Sequence, residues 1–232
     1  MNELFSALYD LTSLPIFGVG MTCLAYAFGI LLSQRAKTPL ANPLLISVTV
    51  IIGFLLLFGI PYDNYQQGGK VIQLFLTPAT AILAVKIYEH FRLLKENWLP
   101  ILAGAAVGSA VSILCVLFLC RLCNLDQALT VSLLPKSVTM AIAVPLSEQY
   151  GGVPSITAAS LFIAGMSGAL FAPYLIRIFR IKNPVESGIA IGTASHALGT
   201  AKALEIGDVE GAASSCAIGI AGLFTTLFML FL

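Results

Sequence analysis

The sequence predicts an all-α integral membrane protein with about six to eight transmembrane or re-entrant helical elements. Of its 232 residues, 58% are hydrophobic and only 10% are charged, whereas roughly 25% of an ordinary soluble domain is charged. Because backbone groups in lipid must pair within their own segment, long apolar runs are expected to be helices rather than strands. Five runs without charge reach the ~20 residues that a helix needs to cross ~30 Å of hydrocarbon: residues 11–34, 38–62, 98–120, 152–175 and 211–232.

The elements follow one another without a linker long enough to separate domains, so a single domain is predicted over residues 1–232. In chain order they are spans at 15–32 and 43–60, a third element at 71–88, a span at 98–119, two short apolar pieces at 127–135 and 137–147, a span at 154–176, a short element at 187–201 and a closing helix at 212–232. The segment with Gly68 and Gly69 is read as a loop, and so is the charged segment with Arg92 and Lys95.

The placement of Lys and Arg predicts the topology. Arg35 and Lys37 lie two crossings away from Arg92 and Lys95, which puts both loops inside and the N-terminus outside. The basic loop around Arg177 should also be inside. That is consistent only if the element around Lys136 enters and leaves the membrane on the same side, so the sequence predicts a re-entrant hairpin there.

The segment Pro135-Lys136-Ser137-Val138-Thr139 is the most informative one. A charged residue in the membrane costs several kcal/mol unless it is paired or hydrated, so it marks a functional site by default. The proline breaks the helix, and the amides at the next helix start favour an anion. Lys136, Ser137 and Thr139 are therefore predicted to bind a carboxylate. The alternative is that Lys136 lies at a loop end and extends to the interface.

A second candidate segment surrounds His196 with small residues that allow close helix packing. Thr193, Ser195 and Thr200 bring hydroxyls near the imidazole, which could bind a substrate or carry a proton. Thr193, His196 and Thr200 share one face if the helix is continuous. The alternative is a buried histidine that bonds a backbone carbonyl.

The third short element contains Pro78, whose missing amide leaves a carbonyl that cannot face lipid. Thr80 is predicted to line the site opposite Lys136; an ordinary proline kink is the alternative. Residues 80–89 also align with 139–148 through shared Thr, Ala-Val and Glu positions. Internal repeats with broken helices are common in secondary transporters, although shared helix composition would produce a similar match.

Other site classes find little support in the sequence. Cys120 and Cys123 form a C-x-x-C without a second pair, which favours small residues at a helix end in a reduced compartment. The histidines and acidic residues show no metal-ligand spacing, no cofactor is implied, and no basic cluster indicates a nucleic acid partner.

Three motifs resemble the signature segments of the LrgB/CidB family, and the resemblance spans essentially the whole chain. They are Asn42-Pro43-Leu44-Leu45, the segment 134–139 and the segment 192–201, with Glu210-Gly211-Ala212 downstream. Where family members often carry a second Thr-Pro after Ser-Val-Thr, this chain has Met140-Ala141. The resemblance implies a bacterial cytoplasmic-membrane protein that works with a smaller LrgA/CidA-like, holin-like partner. It further implies a role in murein hydrolase export and autolysis, or in transport of glycolate, glycerate or pyruvate as in a plastid relative and bacterial pairs.

The favoured hypothesis is therefore a secondary transporter of small monocarboxylates, with proton coupling as one option and a homo-oligomer in lipid as the expected state. A non-transporting regulator or pore component of autolysis is the alternative. A remote third reading is an intramembrane serine protease, because Gly165-Met166-Ser167-Gly168 resembles a Gly-x-Ser-Gly motif and His196 could act as the base. No enzyme activity is predicted.

Overall fold

A computed structural model describes residues 12–36 and 42–232. Every regular element in these ranges is a helix, which confirms the predicted all-α class. The chain forms two compact units, of which the first ends at Ala81 and the second runs from Ile82 to Leu232. Four of the described helices are long and apolar enough to cross a membrane, and they support a multi-pass membrane protein.

The first unit contains α1 (Pro15–Ala36), α2 (Pro43–Phe58) and α3 (Tyr62–Gln73), and α4 (Leu76–Glu89) begins in it. Asn42 caps the start of α2, and its side chain accepts a hydrogen bond from the Leu44 amide. The helix ends at Gly59, which has a left-handed φ of 63°. Asn is favoured at a helix start because its side-chain oxygen accepts a hydrogen bond from an unpaired backbone amide. Gly is favoured at a helix end because it adopts a left-handed φ without a steric penalty.

Two boundaries in this unit differ from the sequence prediction. The segment read as a loop around Gly68 and Gly69 is the helix α3, and the element predicted at 71–88 is interrupted between α3 and α4. The glycines signal close packing rather than a turn: Gly68 lies against Gly18 of α1, and a Cβ on either residue would collide with the other helix. In the second unit, the charged segment around Arg92 is likewise a helix rather than the predicted loop.

The second unit contains the end of α4 and seven further helices. These are α5 (Phe91–Glu96), α6 (Trp98–Leu122), α7 (Gln127–Leu133), α8 (Met140–Gln149), α9 (Pro154–Ile178), α10 (Pro184–Ile206) and α11 (Asp208–Met229).

Helices α6 and α11 run parallel along the length of this unit. Near their first turns, Ile101 shares a buried cluster with Ala213 and Ala217. Ser109 donates to the Ala221 carbonyl at 3.3 Å, and near their last turns Val116 clusters with Met229. The 25 residues of α6 extend about 37 Å at 1.5 Å per residue, enough to span a bilayer core.

Helices α7 and α8 form a hairpin that enters and leaves on the same side. Their 7 and 10 residues rise only about 10 and 15 Å, too little to cross. At the tip, Ser137 bonds Ser112, near the middle of α6, and Leu146 on the returning arm rejoins the cluster of Cys120 and Met229 at the α6 C-terminus. The structure therefore contains the predicted re-entrant element around Lys136.

Buried hydroxyls fix the base of this hairpin to α9. Ser132 of α7 accepts a hydrogen bond from the Val153 amide at 2.7 Å, and Thr157 of α9 donates to Ser147 of α8 at 2.7 Å. These side chains are fully buried, so the bonds satisfy polar groups that would be costly to leave unpaired.

Helix α10 is a second hairpin, although its residues are nearly all helical. His196 has φ 42° and ψ −142°, which interrupts the helix. Before the break, Gly188 and Gly192 contact successive turns of α11, at Glu210 and Ser214; after it, Thr200 bonds Ser214 and Leu204 contacts Gly211. The first half thus runs parallel to α11 and the second half antiparallel, so the chain reverses at His196.

The two hairpins make an inverted repeat. A long helix and a hairpin that enters where the helix ends occur twice, as α6 with α7–α8 and as α9 with the two halves of α10. Since α9 runs opposite to α6, the hairpins enter from opposite faces and both tips lie at mid-depth. This repeat pairs the hairpin that contains residues 139–148 with α10, whereas the sequence alignment pairs those residues with 80–89.

One face of the second unit carries most of its basic residues, and we call it the basic face. Its residues lie where α6 begins and α9 ends: Arg92, Lys95, Arg177, Arg180 and Lys182. Leu94 of α5 and Val185 of α10 share a buried cluster there. The topology predicted from the Lys and Arg residues requires these segments on one side of the membrane. Because the α7–α8 hairpin returns to the side from which it starts, the two segments do lie on one side of the unit.

Cysteine labelling tests the re-entrant hairpin directly. In a variant with the five native cysteines replaced by serine or alanine, we expect Asn124→Cys and Gln149→Cys to react with a membrane-impermeant maleimide from the same side. Lys182→Cys should react only from the other side. Reaction of positions 124 and 149 from opposite sides would mean that the α7–α8 segment crosses the membrane.

Candidate functional site

A cavity of about 560 Å³ lies in the second unit, between α6, the tip of the α7–α8 hairpin and the first half of α10. It begins at the basic face, at Pro100 and Glu186, and extends to Lys136 and Ser137 at mid-depth. Its walls are largely apolar, with few polar groups, which is the usual composition of a small-molecule site.

Lys136 is the cationic group of the cavity, at the inner end. Its Nζ donates to Ser112 Oγ at 3.2 Å and to Ser137 Oγ at 3.3 Å, and the two hydroxyl oxygens are 2.9 Å apart. An ammonium has three donors and each serine has one. After these three bonds, one ammonium N–H and one hydroxyl hydrogen remain for a ligand, which matches the two oxygens of a carboxylate.

No carboxylate compensates Lys136 in the part of the chain that the structure describes. The ion pairs there join Arg92 to Glu96 and Lys202 to Glu205, and Lys136 bonds only neutral hydroxyls. A half-buried cation at mid-membrane costs about 3 kcal/mol. A bound anion would offset that cost.

The first half of α10 forms the opposite wall. Gly104 and Gly108 of α6 lie against Ile189 and Thr193, and a Cβ on Gly108 would collide with the Thr193 methyl group. The Thr193 hydroxyl donates to the Ile189 carbonyl at 2.7 Å, so it can still accept a bond from a ligand. Thr193 therefore faces the same cavity as Lys136 and Ser137.

His196 lies outside the cavity lining. Its Nε2 is 2.8 Å from the Leu161 carbonyl of α9, and because a carbonyl only accepts, Nε2 carries the hydrogen. The ring packs on Gly165. This is the arrangement that the alternative reading of the sequence described. Since α10 breaks at His196, Thr193, His196 and Thr200 do not share one continuous helical face.

The remaining predicted residues occupy other positions. Ser195 packs against Gly168 of α9, Thr200 bonds Ser214 at 2.7 Å, and both are buried. Thr139 is the residue before α8 and makes no side-chain cap. Thr80 lies in α4, but its side chain is outside the described residues.

Among the lining residues with polar or ionisable side chains, sequence reasoning missed Ser112, Cys115 and Glu186. Ser112 lies within a helix read as a plain span, where a single serine is an ordinary residue. Glu186 sits in the first turn of α10, where an acid is favoured by the helix dipole. Neither position carries a sequence signal that separates it from a structural role.

A family model described as LrgB-like matches residues 22–232. The chain belongs to the LrgB-like family. Proteins named "Antiholin-like protein LrgB" from Bacillus cereus strain B4264 and from Bacillus anthracis strain CDC 684 / NRRL 3495 are each 39% identical to it over 218 residues. The matches cover 93% of this chain and 94% of each relative. No solved structure matches the chain.

The protease reading finds no support in this LrgB-like chain. The Ser167 hydroxyl donates to the Ile163 carbonyl of its own helix at 2.6 Å and is exposed, while His196 bonds Leu161. The serine and histidine are thus not hydrogen-bonded to each other.

Stability measurements should separate Lys136 from His196. His196→Ala removes the buried hydrogen bond to Leu161 and the packing of the ring on Gly165, so we expect a loss of about 1–2 kcal/mol. Lys136→Ala removes an uncompensated cation, so its melting temperature in detergent should equal or exceed that of the wild type. A lower melting temperature for Lys136→Ala than for His196→Ala would contradict this assignment.

Proposed function

We propose that this protein is a secondary transporter of small monocarboxylates of the pyruvate or glycolate type. The observation that carries the proposal is Lys136, a cation at mid-depth that bonds only to two serine hydroxyls and faces a cavity of about 560 Å³. One ammonium N–H and one hydroxyl hydrogen remain to bind the carboxylate oxygens.

Ser112, Ser137 and Thr193 complete the site in this proposal. The serines orient the ammonium and supply the hydroxyl donor, while the Thr193 oxygen accepts from a 2-hydroxyl group. Substrate contact by Thr139, Ser195, His196, Thr200 or Thr80 stays a prediction. Substrate contact by His196 or Thr200 requires another conformation, because in this structure the imidazole bonds Leu161 and the Thr200 hydroxyl bonds Ser214.

The fold supports a carrier more than a simple pore. Inverted repeats with interrupted helices, and a site near mid-membrane where the repeats meet, are typical of secondary transporters. Here two opposed hairpins bring their tips to mid-depth, and the cavity extends from Pro100 and Glu186 at the basic face to Lys136. Repacking of the two repeats would open the site toward the other face.

The charge distribution supports a location and an orientation. We place the chain in a bacterial cytoplasmic membrane with the basic face inside, because five Lys and Arg side chains lie at that end of the second unit. The N-terminus is proposed to lie outside, as the placement of Lys and Arg in the sequence predicts. A homo-oligomer and an LrgA-like membrane protein are the proposed partners.

Uptake into proteoliposomes tests the proposal. Radiolabelled pyruvate and glycolate should show saturable uptake with the wild type, and Lys136→Ala should reduce it at least about 100-fold by removing a charge-assisted carboxylate bond. Lys202→Ala is the matched control, since Lys202 pairs with Glu205 outside the cavity. The wild type should be assayed alone, with the LrgA-like partner and with a pH gradient.

A second candidate function is regulation of murein hydrolases without transport. It is favoured by the name "Antiholin-like protein LrgB" carried by the Bacillus relatives. Such a regulator places no demand on a carboxylate site, so Lys136→Ala should leave autolysis of the host cell unchanged. No saturable uptake under all three conditions, combined with an autolysis phenotype that survives Lys136→Ala, would favour this function.

A further inference from the structure

The cavity has a second charged residue, at the end opposite Lys136. Among its lining residues only Lys136 and Glu186 are formally charged, and Glu186 lies at the basic face in the first turn of α10. Glu186 precedes Thr193 by seven residues, about 10 Å of helix, and Lys136 lies about one turn of α6 deeper. A ligand that enters from the basic face therefore passes a carboxylate before it reaches the ammonium.

In the described part of the chain, no Lys or Arg side chain forms a contact ion pair with Glu186. Its carboxylate is exposed and meets only the Asn183 amide, at 3.4 Å. The charged residues on the elements that surround the first turn of α10 form no ion pair with it within 4.0 Å. These are Arg92, Lys95 and Glu96 of α5, Asp208 and Glu210 of α11, and Arg177, Arg180 and Lys182 before α10.

Size alone cannot restrict this cavity to monocarboxylates. A volume of about 560 Å³ exceeds that of a two- or three-carbon acid several-fold and would admit a four- or five-carbon dicarboxylate. Charge can make the distinction. The single ammonium satisfies one carboxylate, and a second carboxylate on the same ligand would find no other cation among the lining residues and would point toward Glu186.

We propose that Glu186 is a specificity-determining residue that excludes dicarboxylates from the Lys136 site. This inference rests on the proposed transport function. Repulsion between like charges increases as their separation falls, so discrimination should grow with the length of the dicarboxylate. Malonate should be excluded least and glutarate most, because the distal carboxylate of glutarate comes closest to Glu186.

Competition experiments with Glu186→Gln test the proposal. The change removes the charge and keeps the shape, so pyruvate should bind about twofold more tightly, succinate about threefold and glutarate about fivefold. The readout is the ratio of each inhibition constant to the pyruvate KM. Glu148→Gln is the control, because Glu148 is exposed on α8 and does not line the cavity; its ratios should match the wild type.

Salt provides an independent readout. The Debye length falls from about 10 Å at 0.1 M to about 3 Å at 1 M salt. Raising the concentration of an inert salt should therefore improve glutarate inhibition of the wild type relative to pyruvate uptake, and should do so much less for Glu186→Gln. A purely steric effect of the substitution would show no such difference.

The outcomes separate this inference from the proposed function. If the wild type takes up pyruvate and Glu186→Gln leaves the dicarboxylate ratios and their salt dependence unchanged, Glu186 is not the selecting residue although the carrier proposal stands. If the wild type shows no saturable monocarboxylate uptake, the proposed function fails first. If Glu186→Gln weakens pyruvate binding as well, the residue supports binding and the exclusion proposal is wrong.

Discussion

Every unusual feature of the second unit follows from one constraint: a backbone that leaves the helical hydrogen-bond pattern at membrane depth must be enclosed by protein or water. Both interruptions, at residues 134–139 and at His196, lie between the long helices α6, α9 and α11. Side chains then satisfy the groups involved, as when Ser132 accepts from the Val153 amide and Thr200 donates to the His196 carbonyl at 3.1 Å. The cavity lies beside the first of these interruptions, between α6, the tip of the α7–α8 hairpin and the first half of α10.

The hairpin around Lys136 could be predicted because it combines several sequence signals. A proline breaks a helix, a charge is rare in an apolar segment, and the arms are too short to cross. The break at His196 has a weaker signal: neither glycine nor proline occupies the position, although the flanking segment contains weak helix formers such as Gly192, Thr193 and Ser195. Tertiary contacts impose the reversal there, through close packing of Gly192 on Ser214 and of Ser195 on Gly168. The sequence alone therefore marks the segment as unusual but leaves open whether its helix is continuous.

The candidate site also contains residues that the sequence could identify and residues that it could not. Lys136, Ser137 and Thr193 could be proposed because they stand out in apolar surroundings, and the structure brings them to one cavity. Ser112 could not, since its contribution depends on a packing distance between α6 and the hairpin tip. His196 stands out equally well in the sequence, yet it bonds Leu161. Rarity of a residue type in an apolar segment thus marks a place where the fold needs a polar group, whether for a ligand or for the backbone.

In the described part of the chain no acid is paired with Lys136, and this determines where the binding free energy of the substrate would come from. A buried ion pair would satisfy the ammonium permanently, and an arriving carboxylate would then have to displace the internal one. Hydroxyl partners hold the ammonium in position but leave most of its desolvation cost uncompensated. An incoming anion recovers part of that cost, so affinity arises from a group that destabilises the empty protein. In the proposed carrier, the substrate would shift the conformational equilibrium toward the state in which its carboxylate meets the ammonium. The size of that shift is the difference in substrate affinity between the two conformations.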